Sequence, residues 1–199
     1  MYKTKYSEVR MKKGKVSKLR PTQCVVGLAE VAVKKAELSA LSPRKLDEYL
    51  LAHPIPCVVG PGEHLHLVDH HHMGLALTQM NHPDCYIEVV HDLSTVPEGK
   101  FHRVMQALDL LYLRADGQDL PLYRLPKRLA DLADDPYRSL AGFVRKRDGF
   151  VKVPVPYTEF AWADFFRSRV RIDDWSAAIE RALELAVSIE AQYLPGFAG

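Results

Sequence analysis

The chain has 199 residues, 47% of them hydrophobic, and a formal net charge of +2, enough apolar material for a sizeable core in one domain or in a domain with an appendage. It has no run of about 18 apolar residues and no apolar h-region at its amino terminus, so neither a membrane span nor a secretory signal is expected and the cytoplasm is the expected compartment. Cys24, Cys57 and Cys85 are odd in number and lack a C-x-x-C pair, which argues against a disulfide framework and against a cysteine-built zinc site.

Charge is unevenly placed along the chain. Residues 1–20 carry eight Lys or Arg against Glu8 alone, a segment of +7 that leaves −5 for the remainder. The segment reads as a basic, flexible leader, solvated by default, whose functional alternative is contact with the phosphates of DNA. Next, "TQCVVGLAEVAV" (22–33) is rich in β-branched residues and predicts one or two short strands interrupted at Gly27, with Glu30 facing solvent. "LSPRKLDEYLLAHP" predicts a helix with Ser42 as N-cap, Pro43 at the first helical position, and Leu46, Tyr49 and Leu50 on one face. "IPCVVGPGEHLHLVDH" predicts a hairpin: strands at 55–59 and 64–68 around a Gly60, Pro61, Gly62 turn.

A helix follows from Asp69 with histidines in its first turn, then a strand at 85–93. Strands and helices therefore alternate through residue 93, which predicts an α+β (mixed α/β) fold with a small mixed sheet. From residue 97 the pattern turns helical. "EGKFHRVMQALDLLYL" spaces Phe101, Met105, Leu108 and Tyr112 as a buried face, and "DDPYRSLAGFVRKR" places Asp135 as cap before Pro136. "YTEFAWADFFRSRV" and "DDWSAAIERALELAVSIEAQYL" close the chain as helices, with Phe160, Trp162, Phe165 and Phe166 packing them. The expected organisation is a leader over 1–20, a core over 21–96 and a helical layer or subdomain over 97–199.

Five of nine histidines fall within residues 64–72, in "HLHLVDHHH". Clustered imidazoles invite a metal, but three consecutive helical residues point about 100° apart, whereas chelation wants i and i+4 on a helix or i and i+2 on a strand. His64 and His66 have the strand spacing and no second pair, so no metal ligand is assigned. A bland alternative has Asp69 capping a helix whose first turn the histidines solvate. A third reading makes the strand-to-helix corner an anion site, because a helix amino terminus presents unpaired N–H groups and a positive dipole end.

The run "PTQCVVGLAEVAVKKAEL … LSPRKLDEYLLAHPIPCVVGPGEHLHLVDHHHMGLAL", continued by "DDPYRSLAGFVRK" and "EFAWADFF", resembles the ParB-like nuclease family, a branch of the ParB/sulfiredoxin superfamily. The resemblance spans Pro21 to about Arg167. It implies a mixed sheet of ParB/sulfiredoxin type with a helical C-terminal half, and a corner, here Asp69, His70, His71 and His72, that binds nucleotide phosphates. Superfamily members hydrolyse CTP while clamping DNA, repair a peroxidised cysteine with ATP, or phosphorylate serine, and nuclease activity is attributed to others. No cysteine stands between Cys57 and Cys85, which disfavours the repair chemistry. Partition proteins and many of the kinases carry an arginine where His72 stands, so the clamp here would depend on imidazole and weaken as pH rises through neutrality.

The resemblance implies Glu30, Asp69 and His71 as catalytic candidates, with a carboxylate taking a proton from the acceptor. Lys34, His70, His71, His72 and Arg138 are the phosphate-binding candidates. The leading expectation is a nucleotide-binding enzyme (ATP, ADP or CTP, with Mg²⁺ bridging phosphate oxygens) that transfers a phosphoryl group or hydrolyses a phosphate ester, acting on a phosphorylated small molecule. The competing expectation is a partition-like DNA-binding protein or nuclease using the basic leader; a third is a non-catalytic ligand-binding domain. No membrane partner is expected, and a homo-oligomer is compatible with the sequence.

Overall fold

A computed structural model describes residues 10–199. Its strands are β1 (Arg10–Lys15), β2 (Leu19–Pro21), β3 (Val25–Val26), β4 (Ile55–Val59), β5 (Leu65–Leu67), β6 (Asp84–Asp92), β7 (Arg114–Ala115), β8 (Gln118–Asp119) and β9 (Ala133–Asp134). Its helices are α1 (Leu28–Ser39), α2 (Pro43–Ala52), α3 (His71–Gln79), α4 (Glu98–Ala107), α5 (Pro136–Arg145), α6 (Thr158–Arg167) and α7 (Trp175–Ala186). The fold is α+β, with a five-stranded mixed sheet in the order β1-β6-β4-β5-β2.

Several local rules act as the sequence predicts. The Ser42 hydroxyl caps α2 and Pro43 opens it. β4 and β5 pair antiparallel across the Gly60 turn, with Cys57 opposite Leu67. Asp135 caps α5 by accepting the N–H groups of Tyr137 and Arg138, and Asp174 caps α7.

Three expectations are corrected. The leader is not free over its second half: Arg10–Lys15 pairs antiparallel with β6 as an edge strand, and Leu19–Pro21 pairs parallel with β5. Met1–Val9 lies outside the described residues. The segment after Gly27 is helix, not strand, because Leu28, Ala29, Glu30 and the following Lys-Lys-Ala-Glu-Leu are helix formers that outweigh Val31 and Val33, and Gly27 serves as N-cap. The helix starting at Glu98 stops at Ala107, so Phe101 and Met105 are buried while Leu108 is 43% exposed.

One small ladder positions the functional region. β3 and β9, distant in sequence, pair parallel with Val25 opposite Ala133, and each runs straight into a helix, β3 into α1 and β9 into α5. The Asp134 side chain accepts the Leu28 N–H at 2.8 Å, and the Val26 carbonyl accepts the Asp135 N–H at 2.9 Å. The helices thus start side by side, and a Cβ at Gly27 would overlap Ser139. Glu30 and Arg138, each the third residue of its helix, are brought face to face.

Apolar packing follows the same division. One buried cluster joins Val31, Leu50, Ile55, Leu67, Leu77 and Ile87 around the sheet. A second joins Leu140, Val144, Phe150, Trp162, Phe166 and Ala182 among α5, α6 and α7. The Phe150 and Trp162 rings stack at 4.3 Å, and the Trp162 indole donates to the Pro195 carbonyl. A stacked pair of this kind adds about 0.5–1.5 kcal/mol beyond area burial.

Candidate functional site

A cleft of about 470 Å³ opens where the α1–α3 side of the sheet layer meets α5 and the segment leading into α6. That volume lies within the range of small-ligand pockets, roughly 300–1,000 Å³. Every candidate drawn from the sequence lines it: Glu30, Lys34, Asp69, His70, His71, His72 and Arg138.

The corner between β5 and α3 is built with a left-handed residue. His70, at φ 64°, is the N-cap of α3, so the cap sits one residue beyond the expected Asp69. Asp69 instead accepts the N–H of His70 at 2.6 Å, which steadies a backbone conformation that few residues adopt. Thr22, from the "PTQ" run, pins the corner from the other side. Its hydroxyl donates to the Leu67 carbonyl at 2.8 Å, and its N–H donates to His71 Nε2 at 3.2 Å.

That last bond fixes what His71 can do. Nε2 accepts, so it carries no proton, and burial pushes the His71 pKa down to about 3. His71 is a neutral brace between the segment after β2 and α3; the proton-shuttle and phosphate-clamp roles expected of it are not available to this nitrogen. Burial also lowers His70, against the raising effect of Asp69, and holds His72 well below the ordinary histidine range, with Arg138 and His71 adding to it. Burial thus favours the neutral form of all three rings, against the charged-histidine clamp expected from the sequence. Arg138 brings a guanidinium into the same cleft from α5.

Glu30 is 7% exposed, not solvent-facing. Arg138 Nη1 donates to its Oε2 at 3.0 Å, Lys146 Nζ lies 3.6 Å from Oε1, and His72 Nε2 lies 3.2 Å from Oε2 without hydrogen-bond alignment. Gly142 makes room for the carboxylate, since a Cβ there would overlap its carbon and both oxygens. Both carboxylate oxygens of Glu30 are thus engaged by cations, Oε2 by Arg138 and Oε1 by Lys146. Asp69 is exposed and, among the described residues, makes no ion pair.

The cleft carries Lys34, Arg138, Arg145, Lys146 and Lys152 against Glu30, Asp69, Asp109 and Glu159, a surplus of one positive charge with the histidines neutral. Among the described residues, six buried side-chain nitrogens lack an aligned hydrogen-bond partner, and four belong to residues lining this cleft: His70 Nδ1, His72 Nε2, Arg138 Nε and Arg145 Nε. Arg145 Nε still lies 3.0 Å from Glu159 Oε1 and His72 Nε2 3.2 Å from Glu30 Oε2, so these groups are short of alignment rather than of neighbours, and such a cluster marks a place where hydrogen bonding is held below its best. No group of three or more His, Cys, Asp or Glu side chains among the described residues is placed to hold a metal ion. His64 meets Arg20, and His66 packs on Phe101, its pKa lowered to about 4 by burial; neither reaches the cleft.

Arg145, Lys146, Lys152 and the stacked pair Tyr49–His53, with ring centroids 4.0 Å apart, are lining residues that sequence reasoning missed as site members. A signal for two of them was present: Arg138, Gly142, Arg145 and Lys146 recur at the spacing of one helix face. Lys152, on an irregular segment, had none.

The sequence matches the family described as "Putative ParB-like nuclease" over residues 12–168. No curated protein matches it. Among solved structures, the crystal structure of protein Atu1540 from Agrobacterium tumefaciens is similar, with 37% identity, 97% of this chain and 98% of that chain covered, and a TM-score of 0.90.

Proposed function

The chain belongs to the ParB-like nuclease family, and on that premise we propose that the cleft binds a phosphate ester, foremost the phosphodiester of a nucleic acid or nucleotide, and hydrolyses it. The observation that carries this reading is the convergence, in one cationic cleft, of Arg138, Lys146 and buried nitrogens short of aligned hydrogen bonds, Arg138 Nε and His72 Nε2 foremost. Phosphate oxygens are pure acceptors and satisfy guanidinium edges that protein groups leave open. Arg138, Lys146 and the first N–H groups of α3 would hold the phosphoryl oxygens, with Lys34 and Lys152 toward the opening. Asp69 would orient the attacking water.

Charge selects among phosphates. A surplus of one positive charge balances the single negative charge of a phosphodiester, whereas a nucleoside triphosphate would leave several charges uncompensated. Glu30 is occupied by Arg138 and Lys146, so the residues present do not form a protein-built Mg²⁺ site, and no step is routed through one. A second reading, nucleotide-dependent phosphoryl transfer to a small molecule, draws support from the stacked Tyr49 and His53 rings on the cleft wall, a surface on which a base can lie.

A thermal-shift screen tests both. Dinucleoside monophosphates and short single-stranded DNA are expected to raise the melting temperature, and Arg138→Met to abolish the shift. ATP, ADP or CTP stabilising while diesters do not would select the second reading. If no phosphate compound stabilises the folded protein, the site is not a phosphate site.

A further inference from the structure

His72 occupies an unusual position in the cleft. It lies on the first turn of α3, 20% exposed in its side chain, with Nε2 3.2 Å from Glu30 Oε2 and without an aligned partner. The groups facing it are Glu30 and Lys34 from α1, Arg138 from α5 with Lys146 just beyond it, and His71 from its own helix. Arg138 and Lys146 both lean on the Glu30 carboxylate, so its negative charge is already shared and does not hold a proton on His72. Burial, with three cations adding to it, keeps the ring neutral at rest.

An anion entering this cluster changes each of those terms together. It draws the Arg138 and Lys146 N–H groups toward itself, adds a negative charge near the ring, and leaves the Glu30 carboxylate short of donors. A protonated Nε2 supplies the missing donor, 3.2 Å away. Resting on the phosphate-site reading above, we propose that phosphate binding at Arg138 and Lys146 brings one proton onto His72, so that the ligand loads its own acid. In diester hydrolysis the water oxygen forms the new P–O bond and the ester P–O bond breaks with its electron pair on the leaving oxygen. That oxygen takes the Nε2 proton of His72, whose hydrogen bond to Glu30 is given up as Arg138 and Lys146 return to the carboxylate, and the proton lost by water passes through Asp69 to solvent, so charge and protons balance.

Calorimetric titration with thymidylyl-thymidine tests this, because its diester and bases do not titrate between pH 5 and 8. Repeating it in non-phosphate buffers of different ionisation enthalpy counts the protons taken up. The wild-type protein should take up a proton on binding, and its affinity should fall by up to about tenfold per pH unit across the uptake window. His72→Gln should show no uptake and an affinity that no longer varies with pH. If His72→Gln does not fold, imidazole ¹⁵N spectra of the wild-type protein read the same event, with the His72 nitrogens moving to imidazolium positions when the dinucleotide is added. Proton-neutral binding, or uptake that persists in His72→Gln, overturns the proposal while leaving the phosphate site standing. Absence of binding heat at every pH removes both.

Discussion

Replacing Gly142 by alanine tests the geometry of the buried cluster through one carbon atom. Gly142 lies inside α5, where alanine is ordinarily preferred by about 1 kcal/mol. Here the new Cβ would stand closer than 3.0 Å to the Glu30 carboxylate carbon and both oxygens, so that group must retreat by about 1 Å. Its bond from Arg138, 3.0 Å long, and its contacts with His72 and Lys146 would all be stretched. Overpacking costs about 1–3 kcal/mol and loosening a buried ion pair on the order of 3 kcal/mol, so Gly142→Ala should be destabilising by about 3–5 kcal/mol net. In a chain of this size that lowers the melting temperature by about 6–20 °C. Gly99→Ala is the control: it also lies in a helix, α4, but nothing stands within 4 Å of the added carbon, so it should be neutral or stabilising by up to about 1 kcal/mol. Urea unfolding of both variants decides the matter. A Gly142→Ala protein as stable as the wild type would show that Glu30 is not pinned as described.

Buried neutral histidines make the fold sensitive to acid. His71 and His66 have folded-state values of about 3 and about 4, below the unfolded reference near 6.5. Their contribution is fully present above pH 6.5 and is lost as pH falls, because the unfolded chain binds the protons first. Each removes about 2 kcal/mol between pH 7 and 5. His71→Gln, which keeps an acceptor for the Thr22 N–H, should remove about 2 kcal/mol of that decline, and a pH profile parallel to the wild type would refute the assignment. Asp135 is 3% exposed, caps α5 and accepts Arg167 Nη2 at 2.7 Å. Asp135→Ala should therefore cost about 3 kcal/mol or more in urea unfolding, and a loss below about 1 kcal/mol would contradict its double role.

Local chemistry made much of the fold legible. Ser42-Pro43 and Asp135-Pro136 announce helix starts because capping and proline geometry act within a few residues. The Gly60 hairpin is equally local. Misreadings came where a distant partner decides. Val25 to Val33 has strand-like composition, yet only Val25–Val26 pairs, its partner being β9 more than a hundred residues on. Basic residues 10–15 look solvated in sequence, and β6 makes them a strand.

The candidate site divides the same way. The corner at Asp69 to His72 could be located from the strand-to-helix transition. The state of its histidines could not, because burial, Thr22 and three cations from other elements set it. Glu30 and Arg138 were each legible as candidates but not as a pair, since 108 positions separate them and only the β3–β9 ladder shows that the two helices start together.

Calorimetric titration of the wild-type protein and Arg138→Met with a dinucleoside monophosphate at pH 7 tests the phosphate-site account most directly. Saturable binding at one site that falls at least about tenfold in Arg138→Met, the loss of one charge-assisted contact, is the predicted result. Equal binding by both proteins, or none by the wild type, would contradict the account.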